Sequence, residues 1–161
     1  MDRREEWAVG VDLGGTKVEI GQVDSDGRLL QRLKCHTNVQ EGPKAVEREI
    51  VNLTRELKEL ARSSPVGIGV GIAGQIDPKE GVVLFAPNLH WHDVPFQSDL
   101  KKALELPVVV TNDVRAAAWG EWLHGAGEGC DDLILTCNQD NTILCSCHPI
   151  SEVTCGEKII T

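Results

Sequence analysis

The stretch from Trp7 to His36 restricts the fold more than any other part of the chain. A short apolar run, Trp7 to Val11, ends in Asp12-Leu-Gly-Gly-Thr-Lys17. Val18 to Val23 resumes with β-branched residues, Asp24-Ser-Asp-Gly27 is a turn signal, and Arg28 to His36 suits a third strand. Strand, glycine turn, strand, turn, strand predicts an antiparallel meander.

Gly42-Pro43 then opens a helix, with proline at its favoured first position. Val46, Ile50, Leu53, Leu57 and Leu60 recur at steps of four, three, four and three, one apolar stripe of a helix that stops before Ser63-Ser-Pro65. Val66 to Ile72 alternates glycine with branched residues, as a buried strand does where another backbone comes close. Gln75 to Phe96, with three prolines, reads as loop. Ser98 to Glu105 is a short helix stopped by Leu106-Pro107, and Val108 to Thr111 is a buried strand. Asn112-Asp113 sits where an N-cap belongs, ahead of an alanine-rich helix from Val114 to His124 closed by Gly125. Leu133 to Thr136 starts a further strand. Strands followed by helix, then more strand–helix alternation, predict an α/β domain with a mixed sheet. Functional groups are expected at strand ends, in Asp12 to Lys17 and at Asn112-Asp113.

Charge narrows the partners. Among 161 residues, 16 are basic and 25 acidic, a net charge of −9. That balance argues against a nucleic-acid or anionic-membrane surface. It leaves room for a local phosphate site built from backbone N–H groups. No apolar run approaches the roughly 20 residues needed to span a bilayer, and the charged Met1 to Glu6 stretch has no signal-peptide core behind it. These features predict a cytoplasmic chain with mostly reduced thiols.

Two glycine patterns compete for a phosphate. Gly69-Val-Gly-Ile-Ala-Gly74 matches the dinucleotide fingerprint, but that motif must open a helix, and Gln75-Ile-Asp-Pro78 does not. The reading preferred here is a strand packed closely against a neighbour. No GxxxxGK[ST] P-loop exists. Asp12 to Lys17 joins two strands instead. Gly14 and Gly15 let the backbone approach an anion, Thr16 adds a hydroxyl, Lys17 a cation, and Asp12 a carboxylate able to hold Mg²⁺ through water. A hairpin that merely needs glycines explains the same residues. Asp113 is open to two readings, a helix cap and a general base for phosphoryl transfer. Asn88 is either a turn-former next to Pro87 or an amide that hydrogen-bonds vicinal hydroxyls.

Taken together, GVDLGGTKVEIGQVD, GIGVGIAGQID, FAPNLHWHDVPF and LPVVVTNDVRAAAWGEWLHGAG resemble the ROK family (repressors, open reading frames and sugar kinases), and within it the glucokinase-like members. The likeness runs in order from about Trp7 to Thr136. It implies the N-terminal lobe of an actin-like, ribonuclease-H-like ATPase fold and ATP-dependent phosphorylation of a hexose. By this resemblance Asp12, Gly14, Gly15, Thr16 and Lys17 correspond to the first phosphate loop. Gly74, Asn88, Asn112 and Asp113 correspond to substrate contacts, and Asp113 to the catalytic base. ATP, Mg²⁺ and a hexose, glucose first, are the implied ligands. Only six residues precede the first strand, which argues against the helix-turn-helix repressor branch.

The likeness fails after Leu133-Ile-Leu-Thr136. Family members carry a second glycine-rich loop there, of the form GTGIGGG, and this chain has Cys137-Asn-Gln-Asp-Asn-Thr142. The family's zinc motif, sugar-reading glutamate and second lobe are missing. Residues 1–136 are thus expected to form the kinase lobe and 137–161 a divergent, poorly ordered tail. Asp131 to Thr161 holds five acids against one base, and four of the six cysteines crowd into the last 25 residues. A reading-frame slip, premature stop or alternative 3′ end near Cys137 would explain the change. Sequencing across this point tests it: a clean frame with no glycine-rich loop hidden in another frame rules it out. Cys137, Cys145, Cys147, His148 and Cys155 match no common zinc spacing, so no metal site is assigned.

His90 and His92 flank Trp91, at the sugar-site rim or simply facing water. His124 suits the last turn of its helix. Trp119 and Trp122, three apart, are expected in a core or an interface. The expected chain is a sugar kinase lobe that self-associates through the surface its missing lobe would cover. A non-catalytic sugar- or partner-binding module and an inactive fragment are the alternatives.

Overall fold

The structure, a computed structural model, describes residues 6–131, 133–137, 143–147 and 158–160. Strand β1 (Trp7–Leu13) is central because it alternates cleanly: Trp7, Val9, Val11 and Leu13 are buried, while Ala8, Gly10 and Asp12 face the other way. It pairs antiparallel with β2 (Lys17–Asp24), which pairs antiparallel with β3 (Leu29–His36), the expected meander. On its other side β1 pairs parallel with β4 (Ile68–Ile72), and β4 with β8 (Val108–Asn112). The resulting five-stranded mixed sheet has the order β3-β2-β1-β4-β8.

Helix α1 (Pro43–Ala61) covers the apolar face of this sheet, and α2 (Phe96–Leu104) lies beside it. Gly42 precedes α1 at φ +79°, a conformation that favours glycine, and Pro43 opens the first turn. The apolar stripe holds at Val46, Ile50 and Leu57, with Leu53 partly buried. Leu60 is the exception: it is exposed, although Ala61 beside it still packs against the core. Lys44 reaches both Glu47 (2.7 Å) and Asp99 (2.9 Å), tying α1 to α2, a contact that solvent keeps weak.

The segment expected to be loop between Gln75 and Phe96 is instead a second, three-stranded antiparallel sheet. It comprises β5 (Gln75–Ile76), β6 (Val83–Ala86) and β7 (Trp91–Val94), in that order. Strands of two to four residues are too short to show a period, yet they bury Val83, Ala86 and Trp91, and the turn between β6 and β7 buries Leu89; the Trp91 ring lies 4.8 Å from that of Phe96. The fingerprint-like Gly69 to Gly74 runs from β4 toward β5 and opens no helix. Close packing explains Gly74 but not Gly69, where a side chain would meet open space.

The chain divides into two compact units, 1–113 and 114–161. The second contains most of α3 (Asp113–His124) and an antiparallel sheet of β9 (Leu133–Cys137), β10 (Ile143–Cys147) and β11 (Lys158–Ile160), in the order β11-β10-β9. The rest of the expected tail, 138–142, 148–157 and 161, lies outside the described residues, and so do His148 and Cys155 of the cysteine cluster. Cys35 is a free thiol and Cys130 is disulfide-bonded. Trp119 and Trp122 are not core: they are 58% and 40% exposed and stack edge-on against each other at 5.4 Å. The Trp122 indole donates to the Cys130 carbonyl at 2.9 Å. Among the described residues no helix is long and apolar enough to cross a membrane.

Candidate active site

Three parallel strands, β1, β4 and β8, end at the same edge of the large sheet. Their register puts Asp12 beside Gly71 and Gly71 beside Thr111, and then Leu13 beside Ile72 and Ile72 beside Asn112. Each strand therefore releases its chain at one level: β1 into Gly14 to Lys17, β4 into Gly74, and β8 into Asp113. Parallel strands gather binding groups at such an edge because all their connecting loops leave there.

Asn112 links two of these exits. Its Nδ2 donates to the Gly74 carbonyl at 3.2 Å and to Asp113 Oδ1 at 2.9 Å. Asp113 is half-buried and opens α3, where the partial positive charge of a helix N-terminus suits a carboxylate. Gly74 must be glycine for steric reasons: a Cβ there would lie 2.6 Å from the Phe85 carbonyl oxygen and 3.0 Å from the Ala86 Cβ. The small sheet thus packs directly on the turn that Asn112 grips.

Asn88 lies in the tight turn Pro87–Leu89 between β6 and β7. Its backbone meets the first loop: a Cβ on Gly15 would stand 2.5 Å from the Asn88 carbonyl oxygen and 3.0 Å from its Cβ. Gly15 and Gly14 both avoid positive φ among the described glycines, so space rather than backbone conformation demands the glycine at 15. The loop closes on itself through the Gly14 N–H, which donates to the Lys17 carbonyl at 3.0 Å.

Burial pushes the Asp12 carboxyl above its ordinary value. Lys17 opposes the rise, while the Asp113 and Glu19 carboxylates add to it. A raised aspartate favours its neutral form in the folded chain, so the ionised carboxylate opposes folding at neutral pH. That cost is fully present above the folded-state pKa and vanishes as the pH falls through it toward the unfolded value near 3.8. Asp12→Asn is therefore expected to raise the urea midpoint at pH 7, with the gain shrinking in acid. Equal midpoints at pH 7 would remove the argument.

Two parts of the arrangement are not legible in the sequence. Glu19, opposite Asp12 on β2, takes the Lys17 ammonium at 3.1 Å and lies 3.7 Å from Arg32. The Lys17 hydrogen bond is the main reason the Glu19 carboxyl sits below its usual range. The Lys17 cation thus faces solvent in an ion pair, and Thr16 is exposed beside it. The second part is Thr37, whose hydroxyl donates to the Gly14 carbonyl at 2.8 Å and whose N–H donates to the Thr16 carbonyl at 3.0 Å. Its only signal is the β2–β3 register, which sets His36 opposite Lys17. Exposed His90 and His92 flank buried Trp91, and His92 stacks on Phe85 at 4.7 Å. Among the described residues no group of three or more His, Cys, Asp or Glu side chains is placed to hold a metal by itself.

Residues 8–137 match the ROK family model. The chain belongs to the ROK family. A glucokinase from Streptomyces coelicolor is 40% identical over 123 residues, which cover 75% of this chain and 37% of that protein. A xylose repressor from Caldicellulosiruptor bescii is 31% identical over 129 residues, 78% of this chain and 32% of the repressor. Among solved structures, a ROK glucokinase from Streptomyces griseus in complex with glucose and AMPPNP matches with a TM-score of 0.72 and 34% identity, over 95% of this chain and 47% of that one. The fold is the actin-like ATPase fold of ROK sugar kinases. The chain spans less than half the length of these relatives. The ROK match ends at residue 137, so it includes α3 and β9 but not β10 or β11.

Proposed function

We propose that this ROK chain is the N-terminal lobe of an ATP-dependent hexokinase, with glucose as its expected sugar. The observation that carries this reading is the contact of Gly15 with Asn88. It sets a bare stretch of main chain against an asparagine suited to vicinal hydroxyls, at the strand edge that also bears Asn112 and Asp113. A phosphate donor and a hydroxyl acceptor need that adjacency.

The residues fit a metal-bound nucleotide. Gly15 leaves main chain uncovered where a side chain would fill the space, and a divalent cation would stabilise the Asp12 carboxylate, which burial and then the Asp113 and Glu19 charges disfavour against the pull of Lys17. Asp12 and Gly14 to Lys17 would hold this group, which supplies the transferable phosphoryl and neutralises its charge. The chain's own part is positioning and proton movement. Asn88 and Asn112 orient the sugar, and Gly74 fixes Asn112 through its carbonyl. Asp113 accepts the proton from the reacting hydroxyl, while Asn112 Nδ2 donates to its Oδ1 and orients the carboxylate. Lys17 has to leave Glu19 to meet a phosphate. That exchange costs little, since exposed ion pairs contribute about 0–1 kcal/mol.

Glucose-dependent ADP release by the purified chain with ATP and Mg²⁺, against N-acetylated hexosamines and fructose, tests this reading. No release together with no sugar binding would overturn it. A second reading, a sugar-binding module without transfer, is favoured by the xylose repressor's likeness over the same residues. Sugar binding without ADP release would select it. Under either reading residues 1–136 act as the lobe, in the cytoplasm, and copies of the chain self-associate through an exposed face of that lobe.

A further inference from the structure

Thr37 stands outside every motif that marks the site, yet it makes two hydrogen bonds to the loop between β1 and β2. It immediately follows β3, the edge strand of the large sheet. Its hydroxyl donates to the Gly14 carbonyl at 2.8 Å, and its N–H donates to the Thr16 carbonyl at 3.0 Å. The neighbouring His36 Nδ1 lies 3.3 Å from that same Thr16 oxygen. The Gly14 and Thr16 carbonyls are thereby turned toward the end of β3. A peptide whose C=O is held on one side directs the N–H groups of the loop to the other, and phosphate binding by a short loop depends on that orientation. The Asn88 backbone also lies close to Gly15, so close that a Cβ there would stand 2.5 Å from the Asn88 carbonyl oxygen. Glycines have no side chain with which to hold their own conformation, so the strap has to come from elsewhere in the chain.

We propose that Thr37 is a positioning residue for the phosphate loop, holding Gly14 to Lys17 in the arrangement that receives a nucleotide triphosphate. The inference rests on the nucleotide reading given under Proposed function. Thr37→Val keeps the shape and the backbone N–H but removes the hydroxyl, leaving the half-buried Gly14 carbonyl without that donor. Thr37→Ser restores it.

Two measurements on the full chain decide the matter. The first is amide hydrogen exchange, in which Thr37→Val is expected to speed exchange at Gly14 and its loop neighbours while β1 and β4 stay protected. Thr37→Ser should return the loop to wild-type rates. The second is titration with AMPPNP and Mg²⁺. Thr37→Val is expected to bind about 3- to 10-fold more weakly, the effect of one lost neutral hydrogen bond, with Thr37→Ser within about 2-fold of wild type. Unchanged exchange or unchanged affinity in Thr37→Val overturns the role, and so does a serine variant as weak as the valine one. A folded wild-type chain that fails to bind AMPPNP overturns the nucleotide reading itself and this role with it. That outcome is distinct from wild type binding as tightly as Thr37→Val.

Discussion

Asp113→Asn is expected to lower glucose-dependent ADP release by about 10²- to 10⁴-fold, the usual contribution of a positioned general base. The substitution is nearly isosteric. An asparagine oxygen still accepts the Asn112 Nδ2 bond now made at 2.9 Å, so Asn112 keeps its grip on the Gly74 carbonyl. What disappears is a group able to take a proton. Glucose affinity, followed by calorimetry, should therefore stay within about 3-fold of wild type while turnover collapses, because an interaction used in the transition state alone changes turnover and not ground-state binding. Equal turnover in both proteins would make Asp113 a helix cap and nothing more. A parallel loss of glucose affinity would instead make it a sugar ligand.

The large sheet was legible because its strands are long enough to alternate. Val9, Val11 and Leu13 declare a buried face, and the paired turn signals around Gly14 and Gly27 set the meander. The stripe of α1 was equally clear, and it misled only at Leu60, which is exposed. The small sheet was hidden for the opposite reason. In β5 to β7, two to four residues at a time share their space with prolines and glycines, and their burial comes from contacts across the chain rather than from a local period. For Trp119 and Trp122, expected in a core or an interface, the structure excludes the core: α3 buries none of its residues. Within the site, the residues with chemistry of their own were visible as motifs. Thr37 and Glu19 were not, since each acts through a partner chosen by strand register. Register is set by the whole sheet and is not written at either position.

Gly15→Ala is expected to weaken AMPPNP and glucose together, by about 5- to 100-fold each. The added Cβ would stand 2.5 Å from the Asn88 carbonyl oxygen and 3.0 Å from the Asn88 Cβ. Neither neighbour is the far end of a flexible side chain, so the loop or the Pro87–Leu89 turn has to move. Overpacking of this kind costs about 1–3 kcal/mol, and each 1.4 kcal/mol in a binding equilibrium is about tenfold. Two controls separate this clash from a general intolerance of alanine. Gly14→Ala places its Cβ 3.4 Å from the Lys17 carbonyl, an ordinary contact, and meets no atom of Asn88 within 4 Å, so glucose affinity should stay near wild type. Gly69→Ala, on β4, meets nothing within 4 Å among the described residues and should leave the urea midpoint unchanged or slightly raised, since alanine lowers the entropy of the unfolded chain. The joint loss in Gly15→Ala is the sign that matters, because one methyl group touches the sugar turn from the nucleotide loop. If AMPPNP weakens and glucose binds as before, then Asn88 does not serve the sugar from that turn. The adjacency of Gly15 and Asn88 would then be packing alone, and the hexokinase reading would lose the observation on which it rests.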